Sequence, residues 1–131
     1  MKRFLSAICL IALSPAASAI CVFAGEFTGH SYLKGLDFAE NPDSFGNKVF
    51  QIETEALNAA VTPGELFCLR YTELTLSCQA ASSDETETVF EFWTLDLESK
   101  TVIYTQNRNS TTIGALTGGK LMKGKILGSC D

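Results

Sequence analysis

The residues of this chain that could do chemistry are one histidine, five cysteines and an excess of acids. His30 stands in Gly29-His30-Ser31-Tyr32, and a serine beside a histidine is the beginning of an acyl-transfer centre. On a strand, however, neighbouring residues point to opposite faces, and the chain has no G-x-S-x-G elbow. The pair is therefore not expected to act together. A single histidine also leaves no two-histidine metal site and no histidine-paired thiolate. Gly114-Ala115-Leu116-Thr117-Gly118-Gly119-Lys120 spells the opening of a phosphate-binding loop, but Leu121 stands where that motif needs a magnesium-binding hydroxyl. The segment also reads as a hairpin, whereas the motif belongs between a parallel strand and a helix. Glu91 or Asp96 with a second carboxylate would suit glycoside hydrolysis, yet no further signature accompanies them and they read as surface charges. The expectation is a domain with no catalytic residue, no metal and no cofactor.

The cysteines are better placed for structure than for reaction. Cys9 lies in an apolar stretch near the start, which leaves Cys21, Cys68, Cys78 and Cys130. An even number in a small exported chain is the pattern of disulfides, because the compartment is oxidising and a small core gains from a restricted unfolded state. No pair has the C-x-x-C spacing of a zinc or redox site. Cys21 and Cys130 lie near the two ends, and Cys68 and Cys78 are close in sequence, so the preferred pairing is Cys21–Cys130 with Cys68–Cys78.

Export is itself an expectation from the first residues. Lys2 and Arg3 precede an apolar run from Phe4 to Leu13, Ser14-Pro15 ends it, and Ala17-Ser18-Ala19 offers the small side chains a signal peptidase accepts. Residues 1–19 thus read as a cleaved signal peptide and 20–131 as a single domain, periplasmic or extracellular. The run is about half the roughly 20 residues needed to cross a bilayer, so no membrane anchor is expected in the mature form. Ile20 before Cys21 also argues against lipidation there.

Losing Lys2 and Arg3 takes the formal net charge from −5 to −7. An acidic surface argues against nucleic acid as partner. Among the acids, Ser82, Ser83, Asp84, Glu85 and Glu87 form a solvated loop without the ligand order of a calcium site. This loop is the candidate for contacting a basic secreted protein. Lys120, Lys123 and Lys125 near the C-terminus read mainly as a solvated strand face.

Strands must position all of this. Phe50 and Ile52 alternate with Gln51 and Glu53, the mark of a half-buried strand. The Ala-rich stretch 53–61 leaves a short helix open. Between Leu66 and Gln79 the apolar phase slips at Thr72-Glu73, which implies either a bulged strand or a tight hairpin bringing Cys68 opposite Cys78. Thr88 to Leu95 and Thr101 to Gln106 read as a hairpin, and Thr111 to Leu116 with Leu121 to Leu127 as another turning at Gly118-Gly119. The fold class is all-β: a small antiparallel β-sandwich or barrel of about six to eight strands with two disulfides. Phe90, Phe92 and Trp93 either pack in its core or line a ligand pocket.

The function expected from these readings is a small binding or interaction domain without catalytic activity, an inhibitor or partner of a secreted protein. A carrier of a small apolar ligand and a small secreted hydrolase are the alternatives.

Overall fold

Alternation of β-branched and aromatic residues with polar ones becomes a nearly unbroken antiparallel ladder. The computed structural model describes residues 20–55, 58–61, 65–70 and 72–130, with side chains over 20–53 and 72–130. Residues 1–19, expected to be a signal peptide, lie outside the described residues. Nine strands follow among the described residues: β1 (Ile20–Leu33), β2 (Glu40–Ser44), β3 (Phe50–Glu55), β4 (Asn58–Val61), β5 (Glu65–Arg70), β6 (Thr75–Ser83), β7 (Glu87–Asp96), β8 (Thr101–Ser110) and β9 (Gly118–Ser129).

β2 and β3 share one flank of β1, pairing with Thr28–Tyr32 and Ile20–Ala24 respectively, while β9 runs along the other flank from Val22 to Leu33. From β3 each strand pairs with the next, and β9 returns to β1. The sheet therefore closes as a barrel through β1–β9, while β2 stands at its margin with β1 as its strand partner among the described residues. The expected all-β antiparallel class is present, with the barrel realised and the sandwich not.

Two local expectations are corrected. Residues 53–61 form no helix where described: Ile52–Glu55 pairs with Asn58–Val61, and β1 and β5 supply ladder partners on either side. Tertiary pairing outweighs the helix propensity of the alanines. The second hairpin also turns elsewhere. β8 continues to Ser110, a single 3-10 turn spans Gly114–Leu116, and Gly118 and Gly119 open β9. A Cβ on Gly118 would stand 1.9 Å from the Tyr32 carbonyl oxygen, so this glycine serves close strand approach and not a reverse turn.

A bulge in β1 decides which residues face inward. The β1–β9 register shifts between Gly25 and Thr28, and Glu26 takes a positive φ of 55°. Val22 and Ala24 point inward before it, Phe27 and Ser31 after it, so the inward parity changes. His30 is thereby turned outward. Phe27 then lies flat against β9, where a Cβ on Gly124 would meet its ring at 2.5 Å.

Rings fill the middle of the barrel. Trp93 lies 4.5 Å from Tyr104, 5.0 Å from Phe50 and 5.7 Å from Phe27, centroid to centroid, and Phe45 closes the cluster at 5.2 Å from Tyr104. Most of these contacts are edge-to-face, a geometry that contributes about 0.5–1.5 kcal/mol per pair beyond burial. Leu76, Leu95, Val102 and Ile52 extend the apolar interior toward the chain termini. There Cys21 and Cys130 form a disulfide with Cα atoms 5.2 Å apart, and the Cys130 N–H donates to the Cys21 carbonyl. The phase slip resolves as the hairpin β5–β6, whose register sets Cys68 opposite Cys78. Cys78 is fully buried and disulfide-bonded. The side chain of Cys68 lies outside the described residues, so Cys21–Cys130 is the one bridge described in full.

Candidate functional site

The apolar filling stops one layer above Trp93. On β7, β8 and β9 the inward residues Trp93, Tyr104 and Met122 are followed, away from the termini, by Glu91, Gln106 and Lys120. Tyr104 donates its hydroxyl proton to Glu91 Oε1 at 2.7 Å, and Gln106 Nε2 donates to the same oxygen at 3.2 Å. Burial and the neighbouring Glu91 carboxylate both push the Tyr104 hydroxyl well above the ordinary tyrosine range, because each disfavours a phenolate there. Lys120 Nζ forms an ion pair with Asp43 on β2 at 2.9 Å, with both side chains about a quarter exposed, and also lies over the Phe45 ring. The buried Ser31 hydroxyl-bearing side chain faces the same layer, opposite Lys120 across the β1–β9 ladder.

A further step outward, Arg108 Nε lies 3.0 Å from Glu87 Oε1. The contact is an ion pair without the alignment of a hydrogen bond. It ties the start of β7, beside the β6–β7 turn, to β8. At the hairpin tip the Asp84 carboxylate accepts from the Thr86 N–H at 2.7 Å, the Thr86 hydroxyl at 2.8 Å and the Glu87 N–H at 2.8 Å. These bonds, the Thr86 backbone N–H foremost, hold Asp84 below the usual carboxylate range. Below the tip, Ser83 and Thr88 hydroxyls are hydrogen-bonded across the strands at 2.9 Å. The acidic loop read from the sequence is thus shorter than expected: Ser82 and Ser83 end β6, Glu87 opens β7, and the cross-strand ladder leaves an ordered turn at 84–86 with Glu85 exposed at its apex.

Two more connections end at this side of the barrel. Residues 34–39 link β1 to β2, with Asp37 and Phe38 both at positive φ, and 111–117 link β8 to β9. The Lys34 N–H donates to the Thr117 carbonyl at 2.8 Å and joins the two. Leu36, Phe38 and Ile113 are about half exposed on them. A phenylalanine in the left-handed region is uncommon, and the ordered connection presents its side chain to solvent.

Other residues singled out from the sequence are dispersed. Trp93 is 2% exposed, whereas Phe90 and Phe92 are 47% and 39% exposed on the outer face. The three do not form one pocket wall, because the strand's period of two sends the odd position inward and the even ones out. The Trp93 indole N–H is buried and finds no hydrogen-bond partner among the described residues. His30 is outside, with Nε2 3.3 Å from Glu40 Oε1, and Ser31 is inside, as their adjacency implied. The Gly114–Lys120 segment is a 3-10 turn running into β9. Lys123 and Lys125 face solvent, the latter paired to Glu26, while Lys120 turns inward. Among the described residues no group of three metal-ligating side chains assembles, and no helix is long and apolar enough to cross a membrane.

Glu91 and Lys120, which the sequence reads as surface charges, and Gln106, which it does not single out, form an inward layer instead, each sharing its strand's inward parity with an apolar residue two positions away. That parity was the available signal. The chain matches no protein-family profile, no curated protein and no solved structure.

Proposed function

We propose that this protein is an exported, non-catalytic binding domain whose loop-bearing barrel end engages a basic secreted protein, as an inhibitor or a partner of it. The observation that carries the reading is the β6–β7 turn, in which one carboxylate, Asp84, satisfies three donors and leaves Glu85 projecting. A loop already ordered before contact loses little conformational freedom on binding. The acid Asp37 lies on the β1–β2 connection next to exposed Leu36 and Phe38, and Glu40, which contacts His30, opens β2 beside it. Negative charge around a small apolar centre suits a partner with a basic rim. The filled interior at the level of Trp93 supports a scaffold more than a carrier of apolar ligands.

The test is titration of the folded protein with a small basic secreted hydrolase, lysozyme serving as the probe, at low and moderate salt. Association that weakens as salt rises supports the reading. Absence of association at low salt overturns it.

A further inference from the structure

We propose that the outward face of β6, β7 and β8 binds a neutral glycan chain, independently of the loop-bearing end. Phe90 and Phe92 stand on this face at 47% and 39% exposure, about 6.7 Å apart along β7 from the strand rise. That spacing is on the scale of a pyranose ring. Phe90 forms a ridge between two shallow grooves. One, of about 320 Å³, runs over Gln79, Ala81, Phe90 and Phe92, and the other, of about 330 Å³, over Thr88, Phe90, Asn107, Asn109 and Arg108, whose charge is already paired with Glu87.

The chemistry of the flanks selects the ligand. In a chain of net charge −5, the outward positions from Ser77 to Ser83, Thr88 to Thr94 and Thr101 to Asn109 carry no charged side chain. The one charge at its margin, Arg108, is already paired with Glu87, so the face offers no free charge to phosphate, carboxylate or ammonium groups, and a neutral ligand leaves no charge unpaired on it. Gln79, Asn107 and Asn109 each carry an amide donor and an amide acceptor, the combination that a sugar hydroxyl, itself donor and acceptor, can satisfy in either sense. The phenyl rings offer apolar faces to the C–H side of a sugar. A second copy of this chain fits less well, since homodimer interfaces are more apolar than two phenylalanines among amides and hydroxyls.

The experiment records amide chemical shifts of the folded protein during titration with chitohexaose and with cellohexaose, both uncharged. Shifts centred on β7 with at least one of them, weakened at least tenfold in Phe90→Ser/Phe92→Ser and several-fold in Gln79→Ala/Asn107→Ala, support the proposal. Both phenylalanines are exposed, so the double variant should keep the wild-type spectrum elsewhere. No shift at millimolar sugar overturns the proposal, as does a response that the double variant leaves unchanged. A wild-type dimer by sedimentation that the double variant converts to monomer, without sugar shifts, also overturns it by assigning the face to self-association.

Discussion

The two ends of the barrel are built from the same alternating strands and filled with opposite chemistry. Toward the termini the inward residues are Val22, Ala24, Ile52, Leu76, Leu95 and Val102, and Cys21–Cys130 ties the first strand to the last. Toward the loops the inward residues are Glu91, Gln106, Lys120 and Asp43, held by hydrogen bonds and ion pairs. An apolar layer gains stability from burial alone. A polar layer must satisfy every group and gains little net free energy, so it is retained more readily where it orders a surface. Stability is concentrated at one end, and the proposed binding surface lies at the other.

The largest effect that would break this comparison is removal of the staple. Cys21 and Cys130 are 109 residues apart in sequence, and the loop-entropy treatment assigns a bridge over about 100 residues roughly 4.7 kcal/mol. Cys21→Ser/Cys130→Ser is expected to lose about that much in denaturant unfolding, an appreciable share of a small domain's stability. Trp93→Ala should cost about 3–5 kcal/mol, while Phe92→Ala, one residue away on the outer face, should stay within about 0.5 kcal/mol. Equal losses at 92 and 93 would contradict the inward and outward assignment. Gly124→Ala should cost about 1–3 kcal/mol, because the added methyl must displace the Phe27 ring.

The polar end should respond to pH instead. Tyr104 has its hydroxyl proton held more tightly folded than unfolded, so its contribution is whole below about pH 10 and is lost as pH climbs from there toward the higher folded value. Denaturant titrations should show stability falling above about pH 10, with a shallower fall in Tyr104→Phe. An unchanged slope in that variant would separate Tyr104 from the alkaline transition. Asp84 has the reverse sign: its carboxylate is held below its ordinary range, so the turn is ordered above that range and loosens as pH falls through the folded value. The protection of the Thr86 and Glu87 amides, taken as the ratio of intrinsic to observed exchange rate at each pH, should fall in acid, and in Asp84→Ala at neutral pH, with little change in global stability.

What could be read in the sequence was what depends on neighbours along the strand. The hairpin β7–β8, the Cys68–Cys78 register and the opposed faces of His30 and Ser31 all follow from a period of two and a local phase slip. What could not be read depends on partners far away in sequence. The bulge at Glu26, which decides that His30 faces out, is fixed by pairing with β9. The alanines of 53–61 become strand because β1 and β5 flank them. Lys120 reads as one of three solvated lysines until β2 brings Asp43 to it. The acidic loop was legible as composition, but the three bonds to Asp84 that order it were not.

The central claim, that the loop-bearing end contacts a basic partner and the stapled end does not, is tested most directly by equal charge reversals at the two ends. Glu85 lies at the β6–β7 tip and Glu98 in the β7–β8 turn, both exposed, with all of β7 between them. Ten residues of strand span about 33 Å, several times the roughly 8 Å screening length at physiological salt. The two variants have the same net charge and differ only in where it changes. Association rates with the basic hydrolase should fall about tenfold in Glu85→Lys and stay within about twofold of wild type in Glu98→Lys. Equal slowing in both, or a larger loss in Glu98→Lys, would contradict the account.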